Sequence, residues 1–419
     1  MIPLAITGAG ILSALGIGAE LNFARFGEVG LILDRPALKS FDASKIDAPL
    51  YEIPEFDAAK FLGDKGLRTL DRLTKLLVVA ARLTLEDAGI KKAGAFTALS
   101  AERVGVCCSN AYGSLEAITE LDRVAVLEDP RYINPAKFPN TVSNSAAGYI
   151  SIWEELRALN VSVSDGNCGG LDAVFAAALF LETSRADAII TGGGEAMSEA
   201  LYLAFERLGA FAAGARLGEG AAFFALEPVE KAALRGARTL GVVFGYGTAF
   251  FAPEPEVTLL HASKEALSRA IRGALADGAV SADDVDIVVS GESGVAAFDE
   301  AEAAAIHESL GDRAVLAPKR LLGETLGAGG ALGLAAALAA LRDGTPASSL
   351  GTLVRGVAPE HRRTALVTAL GYHGNASALL VRCRAPNHKV VNQELARAPA
   401  GRTSQLADTD RPRRSRGRS

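Results

Sequence analysis

The sequence predicts an α/β fold built from two similar halves. Short runs rich in β-branched residues alternate along the 419 residues with longer stretches rich in alanine and leucine. This alternation is typical of layered α/β domains. A strand followed by a glycine-containing turn recurs in both parts of the chain, at 5–10, 188–194, 288–294 and 365–371. Hydrophobic residues make up 49% of the chain, which is enough for one large or two fused cores.

The predicted elements follow in chain order. Strands are expected at 4–7, 103–108, 161–164, 188–191, 221–227, 241–247, 286–290, 364–369 and 377–382. Helices are expected at 66–88, 113–126, 146–159, 171–184, 264–276, 298–310 and 329–341. The second half is predicted to start near Gly241. The predicted organisation is therefore 1–240, 241–385 and a separate tail, 386–419.

The tail differs from the body in its charge. Its 34 residues contain eight basic and three acidic side chains, whereas the whole chain has a formal charge of −6. Since the tail has no hydrophobic periodicity, we predict that it is disordered. A basic tail can bind nucleic acid or an acidic partner. The acidic body and the lack of a nucleic-acid motif favour a solvated tail and no nucleic-acid partner.

Composition also argues against a membrane protein and a cofactor. No apolar run reaches the ~18 residues of a membrane span without glycine or charge. The apolar start has no basic leader, so we expect a cytoplasmic protein with four reduced cysteines. No His/Cys cluster suggests a metal. Gly8 and Gly10 resemble part of a dinucleotide fingerprint, but Ser13 stands where its third glycine belongs. We therefore expect no bound cofactor.

Cys168 is the first candidate catalytic residue. A β-branched strand at 160–164 leads into a tight turn that presents the cysteine, and a helix follows at once. This pattern is typical of a nucleophile elbow. A helix N-terminus favours a thiolate, and Gly169 and Gly170 allow a substrate to approach the sulfur. The alternative is a buried cysteine that acts as a small apolar side chain. The local pattern does not decide between the two.

An ordered set of motifs gives the cysteine a context. They lie at 6–16, 67–72, 138–144, 160–181, 217–221, 319–331 and 371–375. In this order they resemble the β-ketoacyl-acyl carrier protein synthases of the thiolase fold. The similarity is greatest to the elongating type, which includes ketosynthase and chain-length-factor subunits of type II polyketide and fatty acid systems. The resemblance implies two similar α/β halves in a five-layer αβαβα arrangement.

The departures from this family concern its catalytic histidines. An elongating synthase uses one cysteine and two histidines, which hold the malonyl thioester and stabilise the enolate. Here Gly291 stands at the implied position of the first histidine, and Glu324 replaces the second, five residues after Lys319. An ionised carboxylate donates no hydrogen bond and repels malonate. Losing one such donor typically costs ~10²–10³ in rate. Condensation by this chain alone is therefore not expected.

Acyl transfer to Cys168 has fewer requirements. By resemblance, its oxyanion hole would use the backbone N–H groups of Cys168 and of a gate residue, Tyr372. Glu324 could act as a general base on Cys168, with its pKa raised by burial, or it could form a structural ion pair with Lys319. His373 follows the gate and could enter the site or point elsewhere. These five residues are the predicted catalytic set.

Two functions remain in competition. The first is a chain-length-factor-like subunit that pairs with an active ketosynthase, although such subunits usually lack the cysteine too. The second is a Cys168-dependent acyltransferase or atypical β-ketoacyl synthase that uses Glu324. A scaffold with neither role is a third possibility.

Both leading hypotheses imply an acyl carrier protein whose phosphopantetheine arm carries the substrate. Arg68 and Lys65 are its predicted docking residues, unless they only form a solvated helix face. The resemblance also implies a dimer, either a heterodimer with a ketosynthase or a homodimer.

Overall fold

The computed structural model describes residues 1–31, 33, 50–113, 115–212, 214–253, 260–342 and 344–383. Its strands are β1 (Leu4–Ser13), β2 (Gly16–Ile17), β3 (Leu50–Tyr51), β4 (Lys91–Lys92), β5 (Ala95–Phe96), β6 (Val104–Ser109), β7 (Asn160–Val163), β8 (Ala188–Glu195), β9 (Leu217–Gly218), β10 (Gly220–Pro228), β11 (Gly241–Phe250), β12 (Ile287–Val289), β13 (Ala314–Leu316), β14 (Leu353–Arg355), β15 (Thr364–Leu370) and β16 (Asn375–Arg382). The predicted tail lies outside the described residues, and the predicted domain boundaries stay a prediction.

The helices within the described residues are α1 (Ala19–Phe26), α2 (Ala59–Leu62), α3 (Arg72–Asp87), α4 (Leu115–Leu127), α5 (Ser145–Glu154), α6 (Gly169–Glu182), α7 (Glu199–Arg207), α8 (Val229–Leu234), α9 (Lys264–Asp277), α10 (Ala296–Leu310), α11 (Lys319–Leu322) and α12 (Gly329–Leu341). The helix predicted from residue 66 begins later, because the Asp71 carboxylate accepts the Thr74 N–H at 2.8 Å and caps α3.

Most strands belong to one continuous hydrogen-bonded sheet. Its order is β14-β13-β12-β15-β16-β11-β1-β10-β8-β6-β7, with β2 paired to β1. The two halves join where β1 pairs antiparallel with β11, so that Leu4 lies opposite Val243. The strand β7 pairs with β6 and ends the sheet on the side of the first half.

Helices cover the sheet in three layers. α3 packs against β1 and β10 on the outer face of the first half, and α9 packs against β11 and β16 on the outer face of the second. α6 and α12 lie between the two halves. Every residue of α12 is buried, which explains why this glycine-, alanine- and leucine-rich helix has no polar face. Hydrophobic cores of buried side chains fill the space between these layers. The predicted five-layer thiolase-like fold is confirmed.

Close packing accounts for the glycines at the start of the chain. A side chain at Gly10 would collide with the carbonyl oxygen of Ala80 on α3, and one at Gly8 would collide with Ala88. These glycines therefore let α3 approach β1, and they need no nucleotide to explain them. In the described part of the chain, no helix is both long and apolar enough to span a membrane. The cytoplasmic location stays a prediction.

Candidate active site

The turn between β7 and α6 presents two neighbouring side chains in different directions. It consists of one helical turn, Gly166–Cys168, followed directly by α6. Cys168 has ordinary right-handed dihedral angles (φ −76°, ψ −27°), so the backbone at the cysteine is not strained as in a nucleophile elbow. The Cys168 thiol lies 3.4 Å from the carbonyl oxygen of Ala369. The Asn167 amide donates to the carbonyl of Leu370 at 3.3 Å and hydrogen-bonds to the Tyr372 hydroxyl.

Cys168 is surrounded by groups that disfavour a thiolate. Its side chain is 0% exposed and belongs to the central hydrophobic core. Burial raises the pKa of the thiol well above its usual value, and the charges of Asp172 and Asp165 raise it further. A hydrogen bond to Ser377 and the charge of Lys319 lower the pKa by less. The activating effect expected from the helix N-terminus is therefore outweighed, and the thiol is neutral.

Glu324 forms the ion pair that was the alternative to a general base. Its Oε1 accepts from Lys319 Nζ at 2.7 Å and from the Leu326 N–H at 2.8 Å. Its Oε2 accepts from the Tyr372 hydroxyl at 3.0 Å. Glu324 and Lys319 are both buried. Among the described residues no hydrogen bond joins Glu324 to Cys168. The role of Glu324 as a base for this thiol stays a prediction, and the geometry argues against it.

The carboxylate of Glu324 also fixes a strained turn. Leu326 has a φ of +45°, which is unfavourable for a residue with a branched side chain. Its N–H points at the carboxylate, and its side chain is fully buried. Lys319, Glu324 and Leu326 thus form one clamp at the start of α12. The predicted link between Lys319 and Glu324 is present, as a structural contact.

A second carboxyl group lies at Gly291, the position that the resemblance implies for the first histidine. The Gly291 N–H donates to Glu302 Oε1 at 2.8 Å, and a Cβ added at Gly291 would lie 3.3 Å from Glu302 Oε2. Thr368 donates to the same carboxyl at 2.6 Å. Burial raises the pKa of Glu302 to about 7. An imidazole at position 291 would therefore meet this carboxyl before it reached a substrate.

Tyr372 and His373 are adjacent in the chain, but their side chains lie in different surroundings. The Tyr372 ring contacts the Phe298 ring edge-on at 4.8 Å, and burial raises the pKa of its hydroxyl well above its usual value, with the nearby Glu324 charge adding to the effect. The backbone of His261 pairs with His373, and its N–H donates to the Tyr372 carbonyl at 2.7 Å. His373 is exposed. The structure thus brings Tyr372 into the site and leaves His373 at the surface.

The two predicted docking residues lie outside this cluster. Arg68 belongs to the short helical turn Leu67–Thr69, and Lys65 lies two residues before that turn. Both side chains are exposed, so they are accessible to a partner. Their docking role stays a prediction.

Comparisons with known proteins decide the family. The chain matches the model of the β-ketoacyl synthase N-terminal domain over residues 5–232 and that of the C-terminal domain over residues 240–352. The chain belongs to the β-ketoacyl synthase family. The resemblance inferred from the motifs is confirmed.

Individual relatives of this β-ketoacyl synthase family member include a ketoacyl synthase beta subunit and a 3-oxoacyl-acyl carrier protein synthase. It is 32% identical to the tetracenomycin polyketide synthase ketoacyl synthase beta subunit of Streptomyces glaucescens, over 91% of this chain and 98% of the relative. It is 29% identical to 3-oxoacyl-[acyl-carrier-protein] synthase 2 of Coxiella burnetii, over 81% and 86%. The solved ishigamide ketosynthase/chain length factor has the same fold, with a TM-score of 0.81 at 24% identity over 92% of this chain and all of that chain.

The sequence pattern did not identify three residues that the structure places in the candidate site. Asn167 is buried beside Tyr372, and its Oδ1 has no hydrogen-bond partner among the described residues. Glu302 lies under Gly291, and Asp172 lies beside Cys168. The signal for Glu302 was an acidic residue on the apolar face of α10, four positions from both Phe298 and Ile306. Asn167 gave no signal of its own, because an uncharged amide beside a cysteine fits no pattern of a catalytic group.

Proposed function

We propose that this chain is a chain-length-factor-like subunit that pairs with an active ketosynthase and does not itself condense acyl units. Its relatives include the tetracenomycin polyketide synthase ketoacyl synthase beta subunit and the granaticin polyketide putative beta-ketoacyl synthase 2, which it matches over 98% and 97% of their lengths. The proposal rests above all on one observation. Where the family's two imidazole donors are expected, the structure has a carboxylate held by Lys319 and a glycine lying over the Glu302 carboxyl.

Such an arrangement cannot stabilise a malonyl enolate. Decarboxylation needs donors directed at the developing oxyanion. Glu324 accepts three hydrogen bonds, and Glu302 accepts from Gly291 and Thr368. The neutral, buried thiol of Cys168 donates to the carbonyl oxygen of Ala369, and among the described residues no carboxylate or imidazole accepts its proton in a hydrogen bond of this kind. The alternative acyltransferase therefore has less support from the geometry than the subunit.

The open edge of the sheet supports pairing with a second subunit. Strand β7 has a hydrogen-bonded neighbour, β6, on one side. α5 and α6 flank it and expose large apolar side chains, with Ile152 71% and Leu179 48% exposed. The hydroxyl of Ser162 in this strand is buried and has no partner among the described residues. An edge strand with apolar flanks is suited to pairing with another protein. We propose that a ketosynthase subunit of the same fold covers it.

Co-expression with an active ketosynthase that contains one cysteine and two histidines should give a stable 1:1 complex. Native mass spectrometry measures this stoichiometry. Ile152→Asp should weaken the complex about 30-fold or more, because a buried charge replaces an apolar contact near the interface centre. Val357→Asp is the matched control, since Val357 is 91% exposed and follows β14 at the opposite end of the sheet. A homodimer that excludes the ketosynthase, or equal effects of both variants, would contradict the proposal.

Carrier docking makes a separate prediction. Arg68→Glu should weaken binding of an acidic acyl carrier protein by about tenfold at low salt, and the effect should shrink as salt screens the charges. Surface plasmon resonance of the complex at two salt concentrations measures it. Arg269→Glu on α9 is the control, because Arg269 is exposed on the outer helix layer of the second half. If both reversals act equally, the effect is a general one of net charge and Arg68 is not a docking residue.

A further inference from the structure

Two carboxyl groups meet beside the Asn167–Cys168 turn. Asp165 precedes the turn and Asp172 lies in the first turn of α6, and their side chains hydrogen-bond to each other. Asp172 Oδ1 accepts from the Tyr246 hydroxyl and from the Ser377 hydroxyl, both at 2.6 Å. Since Tyr246 lies on β11 and Ser377 on β16, the carboxyl pair connects the turn of the first half to two strands of the second.

The other carboxyl is connected in the same way. Asn375, at the start of β16, donates from its amide to Asp165 Oδ1 at 2.9 Å. The Tyr246 ring stacks on Phe175 of α6, with ring centroids 4.3 Å apart and planes at 9°. The tyrosine is therefore held in place on the α6 side as well. These contacts form one polar seam across the interface of the two halves.

The pair can hold together only while it keeps a proton. Two carboxyl groups hydrogen-bond directly when one of them is protonated, and they repel when both are ionised. Burial raises the pKa of Asp172 to about 7, and the hydrogen bond to Asp165 adds to this effect. Burial also raises the pKa of Tyr246, so that its hydroxyl stays a donor near neutral pH.

We propose that the Asp165–Asp172 pair is a proton-dependent latch that holds the Asn167–Cys168 turn against the second half of the sheet. Loss of the shared proton places two negative charges side by side in a buried seam, and the turn separates from β16. The other ionisable groups that act on this cluster are Tyr246 on β11, Cys168 at the start of α6 and Lys319 on α11. The neighbouring groups from β16 are the uncharged Ser377 and Asn375.

The sign of the pH dependence follows from proton linkage. Opening the latch exposes Asp172 to water, where its pKa returns towards 3.8, and so releases the proton. Opening therefore becomes easier as the pH rises from about 4 to about 7, and it levels off once the closed latch has also lost its proton. The stabilisation is complete at low pH and is lost as the pH rises through about 7.

The thiol of Cys168 reports on this opening, because it is fully buried when the latch is closed. The full chain with Cys383→Ser, which removes a half-buried thiol, is treated with 4,4'-dithiodipyridine. Rates between about pH 5 and about pH 8 are divided by those of a cysteine peptide, and mass spectrometry of digested protein identifies Cys168. The corrected rate should rise about tenfold per pH unit up to about pH 7 and then level off.

Asp172→Asn should remove this slope, because the amide hydrogen-bonds to Asp165 at every pH. Asp187→Asn is the matched control and should keep it, since ion pairs hold the pKa of Asp187 at about 2, outside the tested range. A flat wild-type profile, or an unchanged slope in Asp172→Asn, would overturn the proposal. Ser377→Ala keeps both carboxyls, so it should keep the slope while it raises the rate throughout. If Asp172→Asn does not fold, loss of the slope in Ser377→Ala overturns the proposal instead.

Discussion

Glu324→Ala should lower the free energy of unfolding by about 3–5 kcal/mol, because it leaves the buried Lys319 ammonium without its counter-charge. The carboxylate also accepts from the Leu326 N–H and the Tyr372 hydroxyl, and both donors would lose their partner. Denaturation with guanidinium chloride, followed by circular dichroism, measures the loss. Glu308→Ala removes an exposed ion pair with Lys264 and should leave the stability nearly unchanged, because solvent and salt screen such pairs.

A further pair of variants separates the structural role of Glu324 from a catalytic one. Lys319→Met combined with Glu324→Leu replaces the ion pair by apolar groups and should be clearly more stable than Glu324→Ala. Glu324→Gln keeps an acceptor for Leu326 but not the charge. If Glu324 were instead a base for Cys168, Glu324→Gln would abolish thiol acylation without a comparable loss of stability. That outcome would contradict the structural clamp.

The isolated chain should form no condensation product with acyl and malonyl carrier proteins. Each missing histidine donor accounts for a loss of ~10²–10³ in rate, so the remaining activity should lie far below that of an active synthase. The Cys168 thiol adds a second obstacle, because burial and two nearby aspartates keep it protonated. Cys168→Ala in this chain should therefore leave the activity of the mixed complex within about twofold of the wild type.

Much of the fold could be predicted because the chain alternates between strand-like and helix-like periodicity. β1, β6, β8, β10 and β11 coincide with predicted strands to within a few residues at their starts, since each is a short, mostly hydrophobic run bounded by turns. The short strands β13 and β14 were missed. Each has three residues with a single β-branched valine, whereas the equally short β12 is an Ile-Val-Val run that the pattern did predict. β13 and β14 form by pairing with neighbouring strands at the far edge of the sheet.

The residues proposed for the site could be named from the sequence, but the directions in which their side chains point could not. Motif order identified Gly291 and Glu324 as the departures from the family, which stays a prediction, and the Lys319–Glu324 ion pair that the structure contains was one of two alternatives. The sequence could not show that Asn167, and not Cys168, contacts Tyr372, because adjacent side chains at a helix start point about 100° apart. It also could not show that Glu302 reaches Gly291, since that contact depends on how α10 packs against β12 and β15.

The most direct test of the account is turnover by the purified chain alone, measured by mass spectrometry of the carrier-bound product. The same assay is run with an active ketosynthase added and with the Cys168→Ala chain in the mixture. We expect no product from the chain alone, product from the mixture, and the same product with Cys168→Ala. Elongation by the chain alone that disappears in Cys168→Ala would contradict the account, because the chain would then be a condensing enzyme in its own right.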